Sequence, residues 1–507
     1  MKRIVLLNPS IIIAMMIALF TFPAGTVLAA TSCTHYVSTT GNDSNPGTLA
    51  APWRTVQKAA NTASPGNVVC VRGGSYNERV TINVSGSATG GYITFQSYPG
   101  ETAILDGTGL MPPSGWSAMI WIQDKSYLII KGFEIRYYKS LAKAHDPIGI
   151  FVTAADDHIE IRNNKVHDMG NYASAKNGTD AHGIAVYGTS APQSINNIVL
   201  DGNELYNLTL GSSESLVVNG NVDGFTITNN SVHDNNNIGI DVIGFEGKSP
   251  DPAYDQARNG VVRGNTVYNI NSYGNPAYGH ERSADGIYVD GGRDTLVEQN
   301  IIHHTNIGIE LASEHAGRAT SNITVRNNFV YSNTQIGIAI GGYDTKRGST
   351  VNCVIVNNTL YNNYTQRDWG SELYVQYDTQ NNIIKNNIIF ANDARLFITS
   401  WSAVMTGNVV NTNLYFAVGG GTNGTWQWKN VTYTTFAAYQ SATGNDANGL
   451  AGVDPLLAST ATPDLHLQTT SPAIDRGQTL AVSGTLDIDG QVRVQGAAIE
   501  IGADEVR

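Results

Sequence analysis

VRNNFVY, residues 325–331, is one of eight stretches written to a single form. Two aliphatics on one side of a strand lead into an Asn, and an aliphatic then precedes His, Tyr or Phe. The others are IRNNKVH (161–167), LDGNELY (200–206), ITNNSVH (227–233), VRGNTVY (262–268), VEQNIIH (297–303), IVNNTLY (355–361) and IKNNIIF (384–390). The shared Asn residues are Asn164, Asn203, Asn230, Asn265, Asn300, Asn328, Asn358 and Asn387, separated by 27 to 39 residues. The period wanders while the motif holds, as in a solenoid whose loops differ in length.

Repeats of this size are supersecondary units that cannot bury an apolar face alone and do so by stacking. Within each unit the apolar residues alternate with period two, so the units are strands and not helices. The fold expected is all-β, a right-handed parallel β-helix. Asn at one corner of every coil is expected to sit in a left-handed bend and to bond its amide to the coils above and below.

The composition narrows the setting. Lys2 and Arg3 precede an apolar run from Ile11 to Phe20, and small residues follow at Val27-Leu28-Ala29-Ala30. Residues 1–30 therefore read as a secretory signal, and the mature chain as exported, without stable membrane insertion. With a net charge of −12 and no basic face, nucleic acid is not expected as a partner. Of the 3 cysteines, Cys33 and Cys70 flank short strands expected to be neighbours, where a disulfide fits, which leaves Cys353 as a free thiol.

Residues 33–110 are expected to form an N-terminal cap and the first coils, with a short amphipathic helix at Thr55–Thr62 covering the exposed end. This stretch resembles the N-terminal portion of secreted bacterial β-helix proteins, calcium-dependent pectate lyases among them. Residues 111–400 are the coil core. From about Trp401 the register is expected to dissolve, and 401–507 hold C-terminal coils and a capping segment. DLHLQTTSPAIDRGQ and DIDGQVRVQGAAIEIGADE resemble the closing segment that seals such solenoids. A capped solenoid needs no partner to hide its ends, so a monomer is expected.

A second strand recurs, usually opened by Gly-Ile: GIFVTA (149–154), GIAVYG (183–188), SLVVNG (215–220), GIDVIG (239–244), GIYVDG (286–291), GIELAS (308–313) and GIAIGG (337–342). Its second and fourth residues are aliphatic and face the core, so the third and fifth face solvent. Three consecutive coils then present acids outward: Asp241, Asp290 and Glu310, with Tyr288 between Asp241 and Glu310. From strand spacings of about 4.8 Å, Asp241 and Glu310 should lie roughly 10 Å apart and Asp290 roughly 8 Å from Glu310. Tyr187 and Asn219 stand in the same outward positions. The adjoining loops supply His280, Arg282, Glu314 and His315, with Tyr278, Asp285, Glu246 and Tyr343 nearby. His167, His233 and His303 follow the Asn register and read as corner structure.

The resemblance to pectate- and alginate-lyase-like β-helix proteins implies a polysaccharide substrate and cleavage of a uronate chain by β-elimination. In that reading Tyr288 or Tyr187 transfers the proton, and Asp241, Asp290 and Glu310 hold Ca²⁺ or order the sugar. Arg282, Asn219 and His315 face the substrate carboxylate, while Tyr187, His280 and Glu314 complete the binding groups. Where the calcium-dependent lyases have a Lys base, this chain has Tyr288. The residues themselves keep two alternatives open. Paired carboxyls such as Asp290 and Glu310 suit a glycoside hydrolase, and the aromatic ledge of Tyr187, Tyr288, Trp369 and Tyr374 suits a non-catalytic glycan-binding surface protein.

Overall fold

Each coil turns at its Asn corner, and two residues share the work. The computed structural model, which describes residues 32–506, puts the residue before each ladder Asn in the left-handed region. Its φ is 53° at Asn163, 55° at Asn229, 54° at Asn327 and Asn357, and 66° at Gly202 and Gly264. Asn and Gly enter that region at least cost. The expectation that a single Asn both bends and bonds is thereby corrected: the bend falls one residue earlier, and the next side chain is free to point along the solenoid axis.

That side chain joins three coils. The N–H and the Nδ2 of Asn230 both donate to Asn265 Oδ1 at 2.9 Å, while the same Nδ2 donates to the Leu200 carbonyl at 2.9 Å. The pattern begins where Asn164 Oδ1 accepts from the Phe133 N–H, at 3.0 Å. It passes through all eight Asn residues to Asn413, whose N–H and Nδ2 donate to Asp446 Oδ1 at 3.1 and 3.0 Å. The register thus persists past Trp401, where it was expected to dissolve. VVNTNLY (409–415) repeats the form with Thr412, φ 62°, at the bend.

The coils stack into three long sheets of 17, 13 and 13 strands, parallel and in register except for one antiparallel pair at the end. Inward Ile, Val and Leu from all three fill one continuous core. At its N-terminal end lies the helix Val56–Thr62, capped by Thr55, whose side chain accepts from the Lys58 N–H at 3.0 Å. Val56, Ala59 and Ala60 of this helix enter the core. Strand His35–Val37 pairs with Val68–Val71, Cys33 and Cys70 form the disulfide, and Cys353 is free and buried.

The far end is closed by a different segment from the one expected. The hairpin Asn423–Trp428/Val431–Thr435 and the helix Phe436–Thr443 send Trp426, Phe436 and Tyr439 into the core. The last stretch instead packs along the side: Leu457, Leu465, Leu467, Ala473, Ile501 and Ala503 cover Phe329, Ile388, Phe390 and Phe416. Those coil positions are apolar and need covering. Asn327 and Asn357 hold the segment there through bonds from Nδ2 to the Leu486 and Glu500 carbonyls, 2.8 and 2.9 Å.

His167, His233 and His303 lie on strands just past the corner, not in it. They alternate with Tyr206, Tyr268 and Tyr331 in a stack whose ring centroids are 4.6 to 5.2 Å apart. The signal reading of residues 1–30 lies outside the described residues. Among the described residues no helix is long and apolar enough to cross a membrane.

Replacing Asn265 by Ala removes the acceptor for the Asn230 N–H and leaves that donor buried. Each such loss costs on the order of 1–3 kcal/mol, so denaturant unfolding of Asn265→Ala should show a destabilisation of about 2–4 kcal/mol. A loss near zero would remove the ladder from its structural role.

Candidate functional site

The Gly-Ile opening of the second strand has a steric cause. A Cβ on Gly239, Gly286 or Gly308 would lie 2.7, 2.5 or 2.4 Å from a side-chain carbon of Val267, Ile302 or Val330, all core residues. Glycine therefore points into the interior, the following Ile does so as well, and the residue before Gly is turned outward. A strict period of two, begun at the Gly, misses that position.

The outer face consequently carries three rows. In one, Asp285 pairs with Ile307 and then Ile336, and Glu214 stands just before Ser215, which replaces the Gly of its coil. In the middle row Asp241 pairs with Tyr288, Tyr288 with Glu310, and Glu310 with Ala339, the column expected from the sequence. In the third row Asn219 pairs with Ile243, and Asp290 with Ala312. Tyr288 is surrounded by carboxyls: Asp241 and Glu310 across the strands, Asp285 and Asp290 along its own.

The face does not lie open to solvent, as the sequence reading supposed. Asp241 is 2 % exposed, Tyr288 and Asp290 4 %, and Glu310 5 %. Loops fold over it. Asn275 ties the loop 271–284 to two earlier coils, its Nδ2 donating to the Gly211 and Asn236 carbonyls at 2.7 and 2.9 Å. What remains is a cavity of about 280 Å³. Asp285, Tyr288, Glu310 and Gln376 line it together with Tyr278, Tyr343 and Trp369, and Glu281 and Glu314 complete its acidic lining; no Lys or Arg lines it.

Burial, followed by neighbouring carboxyls, pushes Asp241 and Glu214 well above the usual carboxylate range, and Asp285 and Asp290 likewise. Burial raises Glu310 too, opposed by its hydrogen bonds. Gln376 Nε2 donates to Glu310 Oε1 at 2.9 Å, and Asp285 and Glu310 line the same cavity. Tyr288 is also pushed up, by burial and then by Asp290 and Glu310. These surroundings favour the phenol O–H over the phenolate, so of the two expected roles, abstracting or donating the proton, they favour donation.

The remaining expected residues divide into groups. Tyr187 lies in earlier coils, its hydroxyl 3.0 Å from His182 Nε2, with His182 Nδ1 3.4 Å from Glu214 Oε2. Burial lowers His182 to about 4. Asn219 Nδ2 donates to Glu246 Oε2 at 3.0 Å. The Glu314 N–H donates to Asp290 Oδ1 at 2.8 Å, and the Glu314 carboxylate is 4.0 Å from Arg347. His280 and Arg282 pack on Tyr273, at 5.0 and 4.2 Å, and neither lines the cavity. Reasoning from the sequence missed Gln376, Glu214 and the place of Asp285 in the carboxyl rows; the acid just before Gly286 and the acid just before Ser215 were the signal for the last two.

Asp241, Asp290 and Glu310, expected to hold Ca²⁺, do not bring their oxygens together. Glu310 Oε1 is engaged by Gln376. The ligand atoms that do converge around Asp290 come from Glu246 and His315, all within 4.8 Å of one another. That set contains an imidazole and does not suit a cation that takes six to eight oxygens.

A family model described as "Pel9A-like, right handed beta helix region" matches residues 35–238, and a second, "Right handed beta helix region", matches 148–360 and 262–438. The uncharacterized protein YwoF of Bacillus subtilis is 42% identical over 438 residues, which is 86% of this chain and 91% of that one. The pectate lyase PEL9 of Emericella nidulans is 31% identical over 188 residues, 32% of this chain and 44% of that one. Among solved structures, a GH136 lacto-N-biosidase from Eubacterium ramulus superposes with a TM-score of 0.53 at 15% identity, covering 74% of this chain and 67% of that one, a likeness of fold.

A carboxyl whose pKa is raised by folding binds its proton more tightly in the native state, so stability falls as pH rises from the unfolded value, about 4, through the folded one. Asp241, with Oδ1 buried and unpartnered, is the clearest case. Asp241→Asn should be more stable than the parent by at least ~1 kcal/mol at pH 8 and nearly equal to it at pH 4 in thermal unfolding. A variant less stable than the parent at pH 8 contradicts the raised acid.

Proposed function

Because this chain belongs to the right-handed β-helix family, its residues 35–238 being Pel9A-like, we propose that it is a carbohydrate-active enzyme. The reaction that its cavity supports best is hydrolysis of a glycosidic bond. One observation carries the reading: two carboxyls, Asp285 and Glu310, line one aromatic-walled cavity without a Lys or Arg in its lining.

Tyr278, Tyr343 and Trp369 offer ring faces to the apolar C–H faces of a sugar, and the few polar groups set its orientation. Glu310, which burial pushes up to about 7, donates its proton to the glycosidic oxygen as the bond from C1 to that oxygen breaks. Water attacks C1 and gives a proton to a second carboxylate. Glu314 takes that part, since it lines the same cavity and Arg347 opposes the rise that burial imposes on it. Gln376 holds Glu310 in orientation through its bond to Oε1. This is the division of labour of a glycosidase with two carboxyls kept in different protonation states by their surroundings.

The charge also bears on substrate. A uronate carboxylate in this cavity would meet Asp285, Glu310, Glu281 and Glu314 with no lining cation to offset them, so neutral sugars are preferred. Elimination from a uronate chain is the second reading, favoured by the similarity to the pectate lyase PEL9 over 188 residues. Export directed by residues 1–30 would bring the enzyme to polymers outside the cell.

The test is incubation of the mature protein with neutral glycans, pectate and alginate, following reducing ends together with ultraviolet absorbance of unsaturated uronate. Reducing ends without absorbance are expected, and Glu310→Gln should lower kcat by about 10²–10⁴ with thermal stability retained. Absorbance on pectate or alginate replaces hydrolysis with elimination. Binding without turnover, unaltered in Glu310→Gln, leaves a glycan-binding protein.

Removing an aromatic wall tests the cavity separately. Trp369→Ala should raise KM several-fold and change kcat far less, as expected for a contact made equally in ground and transition states. An unchanged KM places the substrate elsewhere on the face.

A further inference from the structure

We propose that Glu246, Asp290 and His315 bind a first-row divalent transition-metal ion at the edge of the cleft. Their ligand atoms lie within 4.8 Å of one another. Three neighbouring coils supply one ligand each, all at the same end of the sheet. Glu246 follows the strand Ile240–Ile243, Asp290 ends the strand Asp285–Asp290, and His315 follows the strand Ile307–Ala312. The coil stacking that aligns the acid rows aligns these three as well.

Two buried atoms without partners point to a ligand that the protein does not itself supply. His315 Nε2 has no hydrogen-bond partner, and neither has Asn219 Oδ1. Asn219 is fully buried, and its amide is against the cluster, with Nδ2 3.0 Å from Glu246 Oε2. Stranding an imidazole nitrogen and an amide oxygen costs free energy, which a cation would recover. Glu246 is also 3.7 Å from Lys248 Nζ. The Glu246 side chain is 38% exposed, which leaves a path for entry and open positions for water or a sugar oxygen.

The donor set selects the class of ion. One imidazole and two carboxylates suit Zn²⁺, Mn²⁺ or Fe²⁺, whereas Ca²⁺ takes oxygen ligands in greater number. The second cluster of similar make-up, His466, Asp489 and Asp504, carries no such inference: His466 already lies between Asp464, at 2.5 Å, and Asp489, at 3.0 Å. The site at Asp290 stands whether the reaction proves to be hydrolysis or elimination, since it is read from geometry and unpartnered atoms alone.

The experiment is calorimetric titration of the metal-stripped mature protein with ZnCl₂, MnCl₂ and CaCl₂, with bound metal counted after dialysis. One Zn²⁺ or Mn²⁺ per chain is expected, at least tenfold tighter than Ca²⁺, with a rise in Tm that grows with metal concentration. His315→Ala, in the loop that follows the strand Ile307–Ala312, should weaken binding at least 100-fold with an unchanged circular dichroism spectrum, and Glu246→Gln should weaken it in parallel. The assignment is overturned by no binding, by Ca²⁺ binding as tightly as Zn²⁺, or by undiminished binding in both variants.

Discussion

The stacked Asn amides are the constraint on which the rest of this molecule depends. From Asn203 onward each ladder Asn accepts from the backbone and side chain of one coil and donates to a carbonyl of another, so a coil cannot slip without stranding several buried polar groups. Loops of very different length can then be inserted between coils with the strands still in register. The cleft exploits that freedom, because its floor is a rigid sheet and its walls are the loops.

The floor is costly to keep. Asp241, Asp285, Asp290, Glu310 and Glu214 are all buried, and desolvation pushes each toward its neutral form, with neighbouring carboxyls adding to the push. In the middle row the coils on either side carry Val217, Ala339 and Ala185 instead, residues whose burial costs no charge desolvation. A protein that retains five acids in such a place does so against its own stability, which is the mark of a site. The same burial bears on the chemistry, since a carboxyl held toward its neutral form is poised to give up a proton.

Much of this could be read from the residues. The alternation in GIDVIG, GIYVDG and GIELAS placed Asp241, Tyr288 and Glu310 in one column of adjacent coils, because strand pairing in a solenoid repeats the same step. Asp285 was not placed in the rows, since the inward Gly286 breaks the period of two and turns the preceding residue outward. Arg282 and His280 looked like substrate contacts because they are polar residues in a loop beside the site. Their actual partner is Tyr273 in the same loop, a choice made by local packing that spacing along the chain does not encode.

By itself, the sequence determined the architecture: a repeated Asn, a period of two and a Gly where the core leaves no room for a Cβ are local rules, each satisfied within a few residues. Only the tertiary structure decided whether the acid face was open or covered, which carboxyls met, and which end was sealed by which segment. Those outcomes turn on where long loops come to rest. The loop 271–284 is held by bonds from Asn275 to coils 39 and 64 residues away, and no periodicity announces contacts of that range.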